Sequence, residues 1–434
     1  MLFLHLSDIH FREFEFGSAQ DPHYGTRRRM VEDIDAQFQK FGEAPDRILI
    51  SGDIAFSGQK QEYDFAREWL DELCDSIGIP HDAVVLVPGN HDVDQRVSES
   101  IVVRGLRRQL IDADETERKK LLIEALRETE ARSVLYSPID AYNVFAGRYS
   151  CILAPPDETV LRQKFDLGNG WILQILGINS ALISSKGDEE RGLLVDTASH
   201  NIISERGVVN LVMCHHPTNW LADGAVLQRT IDSAAPIQLF GHEHVAEPVI
   251  GDRHLRLHAG ATNPALGEGA YEPGYNILRV AVEQSDHEAW ELRIKTWPRK
   301  WQPVPPRFVA IRGEGERDVF EKTIRLAQAP TADKRRMAAE QVIVQGAASP
   351  APEEDSKMPS GSPPPPSMRS LTLRFFDLTY SQQSAIIAEL GITDEADADA
   401  IAAIRFRNAL RRVKERAIEQ ALSDAIGRYE GGAQ

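Results

Sequence analysis

Five short apolar runs of strand length are spaced along the first 240 residues: Leu2-Phe3-Leu4-His5-Leu6, Arg47-Ile48-Leu49-Ile50-Ser51, Ala83-Val84-Val85-Leu86-Val87, Val208-Val209-Asn210-Leu211-Val212-Met213 and Ile237-Gln238-Leu239-Phe240. Each stops at a turn residue, as strands buried on both faces of a sheet do. A sixth run, Trp171 to Asn179, reads the same way, whereas Tyr275 to Val282 and Trp290 to Trp297 alternate like the two arms of a hairpin that finishes a sheet. From about 98 to 134 the pattern changes to helical, with Leu106, Leu110, Leu121, Leu122 and Leu126 among many charges. Strands interleaved with helical segments predict an α/β domain, placed at 1–310 with a helical insertion at 98–134.

The pattern lapses further on. Residues 311–345 are expected to add one or two helices. Residues 346–370 hold Pro350, Pro352, Pro359 and the run Pro363 to Pro366 amid Ser, Gly and Glu, the composition of an extended, poorly ordered tether. Periodicity of the helical kind returns over 371–434 and predicts a small all-α domain. There Ser381 is taken as an N-cap, Ile386, Ile387 and Leu390 as an apolar stripe, and Gly391 as a stop. One longer helix is expected from Arg405 to Ile426, carrying Ala409, Leu410, Val413, Ala417 and Ala421.

The residues just past the five apolar runs carry the chemistry. They are, in order, Asp8-Ile9-His10, Gly52-Asp53, Gly89-Asn90-His91-Asp92, His215 and Gly241-His242-Glu243-His244. All five clusters lie just past the carboxyl end of a predicted strand, the edge at which α/β sheets gather ligand groups. Alternation along extended chain would point Asp8 and His10 the same way. Glycines before Asp53, Asn90 and His242 suit a chain that turns sharply and approaches an ion closely. Carboxylate, imidazole and amide oxygen together favour manganese, iron or zinc over calcium or magnesium. Two such cations side by side can activate water and neutralise phosphate charge simultaneously.

This ordered set resembles the calcineurin-like metallophosphoesterases, and the likeness extends over roughly residues 1–300. The resemblance implies a four-layer fold of two facing β-sheets flanked by helices. It implies that Asp8, His10, Asp53 and His244 hold one divalent metal, and that Asp53, as a bridge, Asn90, His215 and His242 hold a second. Manganese is the first choice, iron or zinc the alternatives. His215 is preferred to His216 because the family ligand stands two residues before the proline, here Pro217. His91 would face the scissile phosphate, with Asp92 orienting its ring, while a hydroxide held between the metals attacks phosphorus in line. The tail, in Phe375-Phe376-Asp377-Leu378 and Leu390-Gly391-Ile392, resembles the small effector-associated helical domains of bacterial conflict systems, which implies an adaptor that recruits a protein partner.

Other residues have plainer readings. His5 is a core histidine. Arg27-Arg28-Arg29 form a solvated helix face that could otherwise reach a phosphate. His254 and His258 lie on one strand face, and Cys214 is a small buried apolar residue. The insertion is either a lid over the site or a peripheral hairpin.

Composition narrows the setting. The formal charge of −17 over 434 residues argues against a broadly basic nucleic-acid surface, though bound cations would supply local positive charge to a nuclease. Cys74, Cys151 and Cys214 are too scattered for a disulfide framework. There is no run of membrane-spanning length, and cleavage of a leader would remove Asp8, so a cytoplasmic protein is expected. The expected function is hydrolysis of a nucleotide or nucleic-acid phosphodiester, as an effector in bacterial defence. Alternatives are a phosphomonoesterase or cyclic-nucleotide hydrolase, or a nucleotide-sensing recruitment protein with the tail as adaptor. Homo-oligomerisation is left open.

Overall fold

A computed structural model describes residues 1–13, 21–156, 158–263, 273–285, 288–326, 367–378, 380–394, 397 and 402–430. The first sheet takes its parallel core from β1 (Leu2–Leu6), β2 (Arg47–Ile50) and β3 (Val84–Leu86). The second is built on β4 (Val160–Gly168), β5 (Trp171–Ile178), β6 (Val208–Cys214), β7 (Ile237–Phe240), β8 (Glu247–Ile250) and β9 (Leu255–His258), in the order β4-β5-β6-β7-β9-β8. The alternating arms form the predicted hairpin, β10 (Gly274–Gln284) against β11 (Trp290–Gln302), and β10 adds antiparallel to β1. Two further strands, β12 (Arg307–Ala310) and β13 (Phe320–Arg325), share the outer edge of β11.

The two sheets face each other. Phe3, Leu49, Val85 and Val87 of one share a core with Leu173, Ile175, Leu211, Met213 and Leu239 of the other. Contact is close enough that a Cβ on Gly177 would come within 2.5 Å of Val87 Cγ1. Residues one position along, Leu176, Ile178, Val212 and Cys214, point to the opposite face and pack with Leu227 and Ile231 of a helix, Gly224–Ala234. This two-sided burial is why β5 reads as one unbroken apolar run. On the far face of the first sheet lie α1 (Tyr24–Phe41), presenting Met30, Ile34 and Phe38, and α2 (Lys60–Ile77), presenting Ala66, Leu70, Leu73 and Ile77. The layers are thus helix, sheet, sheet, helix, the architecture expected.

The insertion is helical: α3 (Gln95–Ser98), α4 (Ile101–Asp112), α5 (Glu115–Arg127) and α6 (Thr129–Tyr136), followed by α7 (Asp140–Gly147). Ser100 and Asp114 cap α4 and α5 by accepting backbone N–H bonds. The Gly224–Ala234 helix is α8.

Three expectations about the tail need correction. Residues from 311 do not begin a helical extension, since Phe320–Arg325 pairs with β11 from Thr296↔Phe320 to Glu291↔Arg325. Phe320, Lys322 and Ile324 are half-buried while their neighbours are exposed, a period of two. Residues 327–345, and the tether at 346–370 apart from its last four positions, lie outside the described residues. The single helix expected from Arg405 to Ile426 is two. After α9 (Met368–Phe376) and α10 (Tyr380–Glu389) come α11 (Ala402–Glu415) and α12 (Glu419–Glu430). Ala417, at φ +51°, breaks the last two apart, and the Ile418 N–H turns back to the Val413 carbonyl at 3.1 Å. Helix α10 starts at Tyr380, so Ser381 lies in its first turn rather than at the cap, while Gly391 adopts φ +59° past its end.

This small bundle has its own core of Leu371, Phe375, Ile386, Phe406, Val413, Leu422 and Ile426. It also docks on the α/β domain. Arg148, buried at the end of α7, donates to Asp71 of α2 at 2.9 and 3.0 Å and to Asp377 of the bundle at 2.7 Å. Beside it Phe376 fills the space a side chain on Gly147 would need, at 2.8 Å from the missing Cβ. Asp377→Ala should therefore loosen the bundle by about 1 kcal/mol, the scale of a half-exposed ion pair. Faster limited proteolysis ahead of residue 367 with unchanged turnover is the expected readout.

Candidate metal centre

Beyond their strands the first two ligand loops stay paired. The Asp8 N–H donates to the Gly52 carbonyl at 3.1 Å, Ile9 and His10 both donate to the Asp53 carbonyl at 2.7 and 3.0 Å, and Phe11 donates to Ile54 at 3.1 Å. This geometry brings the Asp8, His10 and Asp53 side chains together, by a route other than the expected alternation. Strand β1 ends at Leu6, and Asp8, His10, Asp53, His242 and His244 all adopt left-handed backbone, with φ from +52° to +71°. Such a conformation costs a residue with a Cβ about 1 kcal/mol or more. Five of the seven proposed ligands thus hold strained backbone that the surrounding hydrogen bonds enforce.

The seven side chains converge. Asp53 Oδ2 lies 3.1 Å from His10 Nε2 and 3.2 Å from His215 Nε2. Asn90 Oδ1 lies 3.0 Å from His215 Nε2 and 3.1 Å from His242 Nδ1. Asp8 Oδ1 lies 3.2 Å from His244 Nε2 and, though buried, has no hydrogen-bond donor in good geometry. Two ligand sets emerge that share the Asp53 carboxylate: Asp8, His10 and His244 on one side, Asn90, His215 and His242 on the other. Backbone carbonyls fix the outer nitrogens, Asn263 O on His10 Nδ1 at 3.0 Å and Ser51 O on His215 Nδ1 at 2.9 Å. A carbonyl can only accept, so each Nδ1 carries the hydrogen, and in the neutral ring each Nε2 would turn a lone pair inward. Mixed carboxylate, imidazole and amide donors around an orphaned buried oxygen fit a pair of divalent cations.

Electrostatics agree. Burial alone would raise the pKa values of Asp8 and Asp53, but His244 for the first and His215 for the second outweigh it, and both carboxyls fall below their ordinary range. His215 is pushed up to about 9, because the Asp53 charge overcomes the lowering effect of burial. His242 is pushed down to about 3 by burial and then by the charge on His215. Two desolvated carboxylates, strong enough to hold a proton on His215, form a pocket that favours positive charge.

His91 sits beside this cluster. Its N–H donates to Asp53 Oδ1 at 2.8 Å and its Nδ1 to the Phe56 carbonyl at 2.7 Å, while the ring stacks on Phe56 with centroids 5.0 Å apart. Nε2 is left to meet a substrate. The role assigned to Asp92 needs correction, because its carboxylate does not orient the His91 ring. It accepts from Ile54 N–H at 3.1 Å, Ala55 N–H at 3.0 Å, Gly89 N–H at 2.9 Å and Tyr63 O–H at 2.9 Å. Asp92 instead ties the loop bearing Asn90 and His91 to the loop bearing Asp53, a positioning role.

The bystanders are accounted for. His5 contacts Ser51 Oγ at 2.9 Å and Asn276 Nδ2 at 3.1 Å inside the core. Of the expected solvated face, Arg28, paired with Glu32, and Arg29 are exposed, whereas Arg27 is buried and pairs with Asp21. His216 turns Nδ1 to Ser180 Oγ at 2.8 Å, and its ring stands against His215 and His242 with centroids 4.7 and 4.4 Å away. His254 faces Asp232 at 3.5 Å and His258 faces Glu243 at 3.3 Å. Cys74, Cys151 and Cys214 are buried free thiols. A cavity of about 800 Å³ opens on Asn90, His91 and His242. Of the insertion, only the residues at its root line it, Gln95 and Arg96, so α4 to α6 are not a lid.

Glycines set the closeness of approach. At Gly52, φ +100°, a Cβ would stand 2.5 Å from His215 Nδ1, and at Gly89 a Cβ would overlap the Asp53 carboxylate. Gly89→Ala should thus displace the shared carboxylate and cost about tenfold or more in metal affinity, the scale of disturbing ligand orientation. Titration of the metal-free protein with manganese measures it.

The calcineurin-like phosphoesterase family matches residues 1–246, and the GTPase-associated adaptor domain family matches residues 367–428. YydB of Bacillus subtilis (strain 168), an uncharacterized metallophosphoesterase-like protein, is 24% identical over 328 residues, which are 69% of this chain and 62% of that protein. The glycerophosphodiester phosphodiesterase GpdQ of Enterobacter lignolyticus (strain SCF1) is 34% identical over 94 residues, 21% of this chain and 30% of that protein. The chain thus spans less than two thirds of either curated relative. Among solved structures, GAP50, the anchor in the inner membrane complex of Plasmodium, aligns at 10% identity with a TM-score of 0.39, covering 83% of this chain and 99% of that one. No helix among the described residues is long and apolar enough to cross a membrane.

Proposed function

Because the chain belongs to the calcineurin-like phosphoesterase family, and so is a metal-dependent hydrolase, we propose that it is a two-metal phosphodiesterase acting on a nucleotide or nucleic acid. The observation that carries this reading is the Asp53 carboxylate, whose Oδ2 is shared by His10 and His215 at 3.1 and 3.2 Å between two complete ligand sets. Asp8, His10, Asp53 and His244 would hold one cation, and Asp53, Asn90, His215 and His242 the other. Bound there, the cations would supply an activated water and offset the charge on phosphate, with manganese the first choice and iron or zinc the alternatives.

The protein's own groups do the rest. The carbonyls of Ser51 and Asn263 keep the ligand nitrogens aimed inward. His91, pinned through Nδ1 to Phe56, offers Nε2 to the departing oxygen, and a proton taken up there, as the imidazolium, would be handed over as the P–O bond breaks. Burial lowers the basicity of this ring and the Asp53 charge raises it, with burial prevailing. Among the described residues no element covers the cavity, which suits a substrate carrying groups on both sides of phosphorus. Similarity over 94 residues to a glycerophosphodiester phosphodiesterase supports diesters too. The adaptor-like bundle supports recruitment to a protein partner, as a bacterial defence effector in the cytoplasm.

The test is turnover with manganese of bis(p-nitrophenyl) phosphate against p-nitrophenyl phosphate, then of single- and double-stranded DNA and RNA against cyclic nucleotides. The expected result is preference for the diester. Preference for the monoester by tenfold or so, in kcat/KM, would replace the reading with a phosphomonoesterase.

A further inference from the structure

Two aromatic side chains line the cavity over the ligand cluster, Phe56 and Trp220. Phe56 is already engaged, with the Arg12 guanidinium 3.8 Å from its ring centroid and His91 stacked on it. Trp220 is half-buried and stands against the ligand His242, ring centroids 4.3 Å apart and nearly perpendicular. Its place is fixed by the backbone. The Trp220 N–H donates to the Pro217 carbonyl at 3.0 Å, and its own carbonyl accepts from Leu193 at 3.1 Å. A flat group attached to a phosphate at the centre would therefore meet a rigidly presented indole.

The charge on the cavity wall is as informative. Arg96 and Lys186 are offset by Glu13, Asp94 and Asp188, and Arg96 lies 3.7 Å from Asp94. Among the described residues lining the cavity, no basic track leads away from the centre to follow a polynucleotide backbone, which single-strand binders combine with their stacking aromatics.

We propose that Trp220 is the stacking platform for a nucleobase on the substrate, so that the enzyme selects a small nucleotide diester over the interior of a long polynucleotide. This inference rests on the phosphodiesterase reading. Stacking holds the base without reading its identity, because every base has a π-face.

The experiment compares thymidine 5′-(p-nitrophenyl phosphate) with methyl p-nitrophenyl phosphate in the full-length protein with manganese. Both release p-nitrophenolate, so the ratio of their kcat/KM values isolates the nucleoside. In W220L, which keeps apolar bulk against the core, that ratio should fall about tenfold, chiefly through KM, and in W220F it should largely return. An unchanged ratio in W220L, or an equal fall in W220L and W220F, would overturn the inference while leaving the phosphodiesterase reading intact. A wild-type protein that turns over neither diester would remove that reading and this inference together.

Discussion

Replacing Asp53 with Asn is expected to lower diester turnover by about 10³-fold or more, because one substitution removes the only carboxylate common to both ligand sets. The fold should survive. The Asp53 backbone carbonyl, which receives the Ile9 and His10 N–H groups at 2.7 and 3.0 Å, is untouched. An Asn Oδ1 can still accept the His91 N–H that Asp53 Oδ1 accepts at 2.8 Å. Circular dichroism should match wild type while bound metal falls from two ions toward one. Retained turnover at full metal content would mean that Asp53 bridges nothing.

His91→Ala is expected to act on a different step. Its ring stands edge-on to His10, centroids 4.6 Å apart, but is held by the Phe56 carbonyl at 2.7 Å, while His10 keeps its own carbonyl partner at Asn263. Metal content should therefore stay at the wild-type value. Turnover should fall about 10²- to 10⁴-fold on diesters with an alkoxide leaving group, the range for loss of a positioned acid. On p-nitrophenyl esters, whose leaving group departs without a proton, the loss should be about tenfold or less. Equal losses on both kinds of ester would assign His91 to charge stabilisation rather than to proton donation. Asp92→Asn offers the contrast. Its carboxylate serves Ile54, Ala55, Gly89 and Tyr63, so the variant should lose stability as well as rate.

These expectations lean on parts of the chain that are legible in sequence to different degrees. Strands β1, β2, β6 and β7 stand where the apolar runs end in ligand residues, because a strand buried on both faces leaves an unbroken signature. The convergence of Asp8 and His10 is legible too, but not its cause. A period of two extends the strand past Leu6, whereas the chain turns left-handed at Asp8 and again at His10 under hydrogen bonds from the Asp53 loop. Those bonds are backbone to backbone and leave no trace in side-chain identity. The same holds for the carbonyls of Ser51, Phe56 and Asn263, which choose the ring nitrogens.

Asp92 misleads for a related reason. Adjacency to His91 suggests a hydrogen-bonded pair, yet in the 3₁₀ turn of Asn90–Asp92 the carboxylate points down to the Ile54, Ala55 and Gly89 amides. Trp220, five residues after His215, belongs to no ligand pattern, and only the fold brings it to His242. In the tail, helical spacing continues through Ala417 and Ala421, two exposed alanines that fit a helix but do not require one. The strand at Phe320–Arg325 is hidden because Lys322 takes an inward position and breaks its apolar alternation, and the long neighbour β11 supplies the pairing that defines it.

Anomalous diffraction from crystals of the protein grown with manganese tests the central claim most directly. Two peaks are predicted, one ringed by Asp8, His10, Asp53 and His244 and the other by Asp53, Asn90, His215 and His242, with the Asp53 carboxylate between them. A single peak, or a pair that does not share Asp53, would contradict the account.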